Sequence, residues 1–177
     1  MSRTTFAVTL TVCSITEALA SSLRPVPLHV RALKYDSPEY HAARELRRRF
    51  LREPLGLRLT SADVAGEDAQ HHFGLFTEEP GSARSLVGVA IGKPDAEVPG
   101  GVRLRQVAVH ADHRGQGLGR LLMSECEHLL AEYGYDRFIL YARGEAVPFY
   151  DRCGYASTGD VTELIGMPHH RMEKRAH

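Results

Sequence analysis

Three glycines, Gly115, Gly117 and Gly119, stand between a strand-like run ending in Val107-Ala108-Val109 and a helix-like run beginning near Leu118. Glycine admits positive φ and leaves no side chain between the backbone and a ligand. At a helix start the first N–H groups lack intrahelical acceptors and lie at the positive end of the helix dipole. The N–H groups from Gly115 to Arg120, including those of Gln116 and Leu118, are therefore offered to an anion. Arg114 and Arg120 add positive charge, which makes a diphosphate the natural guest. A glycine-rich turn that merely links strand to helix fits the same residues.

Two familiar phosphate loops do not fit. A dinucleotide fingerprint needs glycine at positions 115, 117 and 120, but position 120 is Arg120. Its acidic ribose partner would at best be Asp136, which precedes its strand instead of ending it. A nucleoside-triphosphate loop requires Gly-Lys-Ser or Gly-Lys-Thr, and the chain has neither.

The loop must be held by the elements around it. Leu28 to Lys34 alternates as a strand does. Ser37 can cap a helix with Pro38 at its first position, and Tyr40, Ala43, Leu46 and Phe50 form one apolar face. Arg44, Arg47, Arg48 and Arg49 lie on other faces and read as a solvated cluster. Glu53 to Gln70 is irregular and carries Glu53, Asp63, Glu67 and Asp68. "HHFGLFTEE" and "RSLVGVAIGKP" read as two strands joined by the turn "PGSA", and Val102 to His110 as a third.

After the glycines, Leu118, Leu121, Leu122, Cys126, Leu129, Leu130 and Tyr133 recur at helical spacing. Arg137 to Ala142 is nearly all apolar, as a buried strand would be. A short helix with Pro148 in its first turn follows, Gly154 closes it, and the chain ends with strand character. The order βα, ββ, βαβα, β implies an α/β domain with a mixed sheet.

Composition narrows the function classes. The chain has 177 residues, 43% apolar and 25% charged, with formal net charge zero. No global field points to nucleic acid or membrane. Three cysteines without a CxxC pair suit a reducing compartment, so a cytoplasmic setting is expected. "MSRTTFAVTLTVCSITEALASS" has features of a weak signal peptide, but Glu17 sits just before the supposed cleavage site. Residues 1–27 are expected to be a poorly ordered extension, and 28–177 a single domain. Adjacent histidines, His71-His72 and His169-His170, point to opposite faces of a strand and cannot chelate together, so no metal is expected.

The segment "VAVHADHRGQGLGRLL" resembles the coenzyme A loop of the GNAT (Gcn5-related N-acetyltransferase) superfamily. Its signature, Arg/Gln-x-x-Gly-x-Gly/Ala, is met by Arg114, Gly117 and Gly119. About thirty residues on, "AVPFYDRCGY" (Ala146 to Tyr155) resembles the superfamily's second signature, a short helix with a tyrosine before a Gly-aromatic pair. The resemblance covers Leu28 to Lys174.

It implies a mostly antiparallel, mixed sheet splayed between the fourth and fifth strands and flanked by helices. It also implies acetyl-CoA as co-substrate and transfer of its acetyl group to a primary amine by direct attack in a ternary complex. Val107, Ala108 and Val109 would bond the pantetheine arm and the thioester carbonyl through their backbone. The loop from Arg114 through Gly115, Gln116, Gly117, Leu118 and Gly119 to Arg120 would hold the pyrophosphate. Tyr150 would be the general acid beside the thiol.

Two departures stand out. Where many relatives place a cofactor-contacting Asn, this chain has Arg143, which could reach a phosphate, an acidic acceptor or water. The glutamate base of many N-terminal acetyltransferases is missing from the central strand, which has Phe138 and Ile139. Glu145, His110, His169, His170 or a water chain remain as bases. The acceptor would be a small or lysine-like amine, and the acidic residues between Glu53 and Gln70 would suit a cationic one. A non-catalytic acyl-CoA sensor and a transferase of another acyl group stay open, and a homodimer is compatible with either.

Overall fold

The computed structural model describes residues 27–78 and 84–176. The expected extension, up to residue 26, and the "PGSA" turn lie outside the described residues. Strand β1 (Leu28–Leu33) leads to helix α1 (Pro38–Arg47), a π-helical turn (Arg48–Arg52) and a one-turn helix α2 (Ser61–Val64). Then come β2 (His71–Thr77), β3 (Ser85–Pro94), β4 (Gly101–Val109) and the long helix α3 (Leu118–Glu132). Strand β5 (Arg137–Arg143), helix α4 (Val147–Arg152), β6 (Ala156–Leu164) and β7 (Met167–Arg175) complete the chain.

The seven strands form one sheet in the order β1-β2-β3-β4-β5-β7-β6. All neighbours are antiparallel except β4 and β5. That parallel pair is short: Gly101 faces Arg137, Val102 faces Phe138 and Arg103 faces Ile139, and there the pairing stops. A bulge in β4 accompanies the parting. Ile91 of β3 pairs with Arg105 and Val89 with Ala108, so Gln106 and Val107 together oppose one residue. Gln106 takes φ +51° to do this. An extra residue in one strand bends it and sharpens its twist, which turns the far half of β4 away from β5.

Apolar side chains on the two sheet faces make two cores. On one face Leu104, Phe138, Leu140 and Met172 share a core with Leu122, Met123, Cys126 and Leu130 of α3, and Phe149 of α4 packs against it. On the other, Leu33, Phe76, Val89 and Ala108 meet Ala43 and Leu46 of α1. The expected stripe on α3 is therefore its buried face, except that Tyr133, at the end of the helix, is exposed. Ser37 caps α1 as expected, its Oγ accepting from the Tyr40 N–H at 3.2 Å. Phe50 falls beyond α1, in the π-helical turn.

Two expectations need correction. Arg47 is not on a solvated face: it is 1% exposed. It donates two hydrogen bonds, at 2.7 and 3.0 Å, to the equally buried Glu67. The chain also ends in two strands, not one. Ile165 (φ +51°) and Gly166 (φ +73°) form a two-residue turn that pairs Leu164 with Met167. Positive φ at both central residues matches the twist of a hairpin.

Candidate active site

The glycine loop is built as its residue types suggest. Gly115 and Gly117 have φ of +75° and +79°, a region that side chains disfavour. Gly119 serves differently: a Cβ there would lie 3.1 Å from the Phe149 ring of α4, so its absence lets α3 and α4 meet. Among the described residues, the N–H groups of Gly115, Gln116 and Gly117 find no acceptor, and those of Leu118 and Gly119 precede the first helical acceptor. The row ends there, one residue sooner than expected, because the Arg120 N–H bonds the Gly117 carbonyl at 3.0 Å. Arg114 is anchored at the rim, its Nε donating to the Val109 carbonyl at 3.0 Å and its guanidinium lying over the Phe50 ring.

These groups open onto a cleft of about 540 Å³. Val107, Ala108, Val109, Arg114, Gly115, Gly117, Leu118, Gly119, Arg120 and Tyr150 all line it. Gln116 does not: its side chain turns back to donate to the Asp112 carbonyl at 3.3 Å. The sequence reading missed His113, Phe149 and Arg152, which also line the cleft. Only Phe149 carried a signal, as Tyr150's neighbour in the second motif.

A second cleft of about 200 Å³ opens where β4 and β5 part. Leu51, Leu55 and Ile165 give it apolar walls, and Arg52, Gln106, Tyr141, Arg143 and His169 give it polar ones. Arg143, expected on the cofactor, thus lines this smaller cleft and not the larger one. Val107, Ala146 and Tyr150 line both clefts. Tyr150 is half-buried, and burial together with the nearby Cys153 pushes its hydroxyl pKa up to about 12, against a smaller opposing pull from Arg143. It stays protonated at neutral pH. Among the described residues nothing accepts or donates a hydrogen bond at this hydroxyl.

The four candidate bases separate. His169 lies on the face of β7 opposite Arg143 of β5 and lines the smaller cleft, its Nδ1 3.0 Å from the Met167 carbonyl. His170 lies on the other face, paired with Ala142. His110 packs edge-on against Phe50, and the exposed Glu145 carboxylate is held by Arg143 at 3.2 Å. His110, His170 and Glu145 line neither cleft.

The acidic segment has a different use from the one its sequence suggests. Glu67 accepts from Arg47 and from the Tyr40 hydroxyl. Burial pushes its carboxyl up, but Arg47 and Tyr40 outweigh it and hold the group below its ordinary range. Asp63 accepts from the Thr60 backbone and from Arg52, and Glu53 is held by Arg48. These carboxylates tie the segment to α1 and the π-helical turn, so they do not stand ready for a cationic ligand. Among the described residues no three His, Cys, Asp or Glu side chains converge as metal ligands, and no helix is long and apolar enough to cross a membrane.

Residues 66–176 match the acetyltransferase (GNAT) domain family. The chain is 26% identical over 142 residues to the Bacillus subtilis (strain 168) protein named "Putative acetyltransferase BSU40680", spanning 77% of this chain and 90% of that one. Among solved structures it is similar to an acyl-CoA N-acyltransferase from Pseudomonas aeruginosa, with TM-score 0.66 and 23% identity over 86% of this chain and 100% of that one. It is also similar to a spermidine N-acetyltransferase from Vibrio cholerae solved with CoA and spermine. There the TM-score is 0.64 and the identity 16%, over 84% of this chain and 95% of that one.

Proposed function

We propose, on the premise that this chain belongs to the GNAT acetyltransferase family and is an acyl-CoA-dependent acyltransferase, that it moves the acetyl group of acetyl-CoA to a small primary amine. The observation that carries this reading is Tyr150, which lines both clefts at the parting of β4 and β5. The larger cleft takes the donor and the smaller one the acceptor, and the two reactants meet over Val107. The work is cytoplasmic, in keeping with the free thiols of Cys126 and Cys153.

The loop N–H groups from Gly115 to Gly119 and the side chain of Arg120 bind the pyrophosphate. Beyond Arg103 the edge of β4 is no longer paired with β5, so its backbone is available to the pantetheine arm as a neighbouring strand would be. An N–H of the Val107-Ala108-Val109 run donates to the thioester carbonyl, where negative charge develops.

An alkyl ammonium must lose a proton before it can attack, its ordinary pKa being about 10. His169 serves that step. Its Nδ1 donates to the Met167 carbonyl, which leaves Nε2 as the proton acceptor. The amine nitrogen then bonds to the acetyl carbon, the excess proton it still carries passes to solvent, and the carbon–sulfur bond breaks as the tetrahedral intermediate collapses. Tyr150 donates its proton to the departing sulfur, and recovers one from solvent in the next cycle.

Thiol release measured over a panel of primary amines tests this function. Tyr150→Phe should lower kcat by about 100-fold or more, with the Kd for acetyl-CoA changed less than about twofold. Tight acetyl-CoA binding with no transfer to any amine would overturn the enzyme reading in favour of a sensor.

A further inference from the structure

The smaller cleft has a charge pattern opposite to the one a polyamine would need. No carboxylate lines it, whereas Arg52 and Arg143 do. Arg52 is answered by Asp63 at 2.8 Å, and Arg143 by the exposed Glu145. Arg103, on the same face of β4, lies over the Tyr141 ring of the cleft and 3.8 Å from Asp95.

Arg105 is the exception. It is half-buried on that face, within electrostatic reach of Arg47, Arg52 and Arg103, and its side chain makes no hydrogen bond or ion pair with a described residue. Glu67 is the carboxylate that favours its charge, but Arg47 and Tyr40 already occupy both oxygens of Glu67. Next to Arg105, in the bulge, the Gln106 Nε2 is buried without an acceptor among the described residues, and Gln106 lines the cleft. A buried donor left without a partner is costly. Arg105 does not itself line the cleft, but an anion on the acceptor would give Gln106 its partner and sit in the field of Arg105.

Resting on the transferase reading above, we infer that the acceptor is a small amino carboxylate. The carboxylate is held at the bulge by Gln106 Nε2 in the field of Arg105, Arg52 and Arg143. An apolar body lies against Leu51, Leu55 and Ile165, and the amine points toward Val107 and Tyr150. A planar guanidinium matches a carboxylate with paired N–H donors, and about 200 Å³ has room for an amino acid. A second ammonium, as in a polyamine, would be repelled by the same arginines.

The test compares kcat/KM for apolar amino acids from glycine to leucine and phenylalanine with their amides, with the matching simple amines and with spermidine. Each rate is normalised to its fraction of free amine. The best amino acid should exceed its own amide and amine by at least tenfold. In Arg105→Gln that preference should fall toward unity, through loss of the amino-acid rate alone, with the Kd for acetyl-CoA unchanged.

Wild-type preference for amides, simple amines or spermidine would overturn this inference and leave the transferase reading standing. Equal losses for charged and neutral acceptors in Arg105→Gln would also overturn it. No transfer to any amine would overturn both readings. The wild-type series decides the matter by itself if the variant does not fold.

Discussion

The two clefts that meet at Tyr150 are built from different materials. The larger is made mainly of backbone: loop N–H groups, the open edge of β4 and glycines whose φ or closeness to a neighbour excludes other residues. The smaller is made of side chains from five separate stretches: the π-helical turn with Leu55 just after it, β4, β5, the Ala146 to Tyr150 segment and the β6–β7 hairpin. A backbone site persists as long as the fold does, and many sequences can provide it. A side-chain site can be rewritten one residue at a time. On the function proposed above, donor recognition would be the fixed part of this molecule, and acceptor recognition the adjustable part.

Substitutions can break this division or sharpen it. The largest effect is expected at Glu67, whose buried carboxylate lies within electrostatic reach of Arg105. Glu67→Gln leaves Arg47 buried without its counter-charge and should cost about 3–5 kcal/mol of folding stability, measured by urea unfolding. Because the folded-state pKa of Glu67 is depressed, its contribution is fully present above the ordinary carboxylate range. It is lost as pH falls through the folded value. The gap between wild type and variant should thus narrow below about pH 4.

Next in size is Tyr150→Phe, with its loss of about 100-fold in kcat; because the residue is shared, it should spare binding of both reactants. Gly117→Ala should act on the donor side alone. The left-handed conformation costs a non-glycine residue about 1–2 kcal/mol, and the loop must keep it to present its N–H groups. The Kd for acetyl-CoA, measured by calorimetry, should rise about tenfold, with the amine KM unchanged. The smallest effect is expected at Arg48→Gln. Its partners Glu45 and Glu53 are exposed and lie outside both clefts, so stability should change by less than about 1 kcal/mol and neither substrate constant should move.

The same division governs what the sequence could tell. The glycine loop and the second motif were legible because φ requirements and helix starts are local properties of consecutive residues. The mixed sheet followed from the order of the elements, whereas the parting of its strands came only through family resemblance. Arg47 and Glu67 were read apart, as solvated charge and as ligand contact, because their pairing spans twenty residues and only the tertiary fold joins them. Strand β6 was missed because it is exposed along nearly its whole length, so no apolar alternation marks it. The bulge carried no signal either, since Gln106 occupies a conformation that glycine or asparagine would have announced. Arg143 was assigned to the donor through the family's cofactor contact, whereas the strand's alternation turns it to the opposite face.

Ile165 gives the hairpin turn a meaning beyond closure. A β-branched residue at φ +51° is held against its own preference, at a cost of about 1–3 kcal/mol, and it also lines the smaller cleft. A glycine there would relax the turn and at the same time remove part of the cleft's apolar wall. Selection for a tougher protein and selection for a choosier one would pull this position in opposite directions. A change of diet for this enzyme could therefore begin at a residue outside every motif that identifies it.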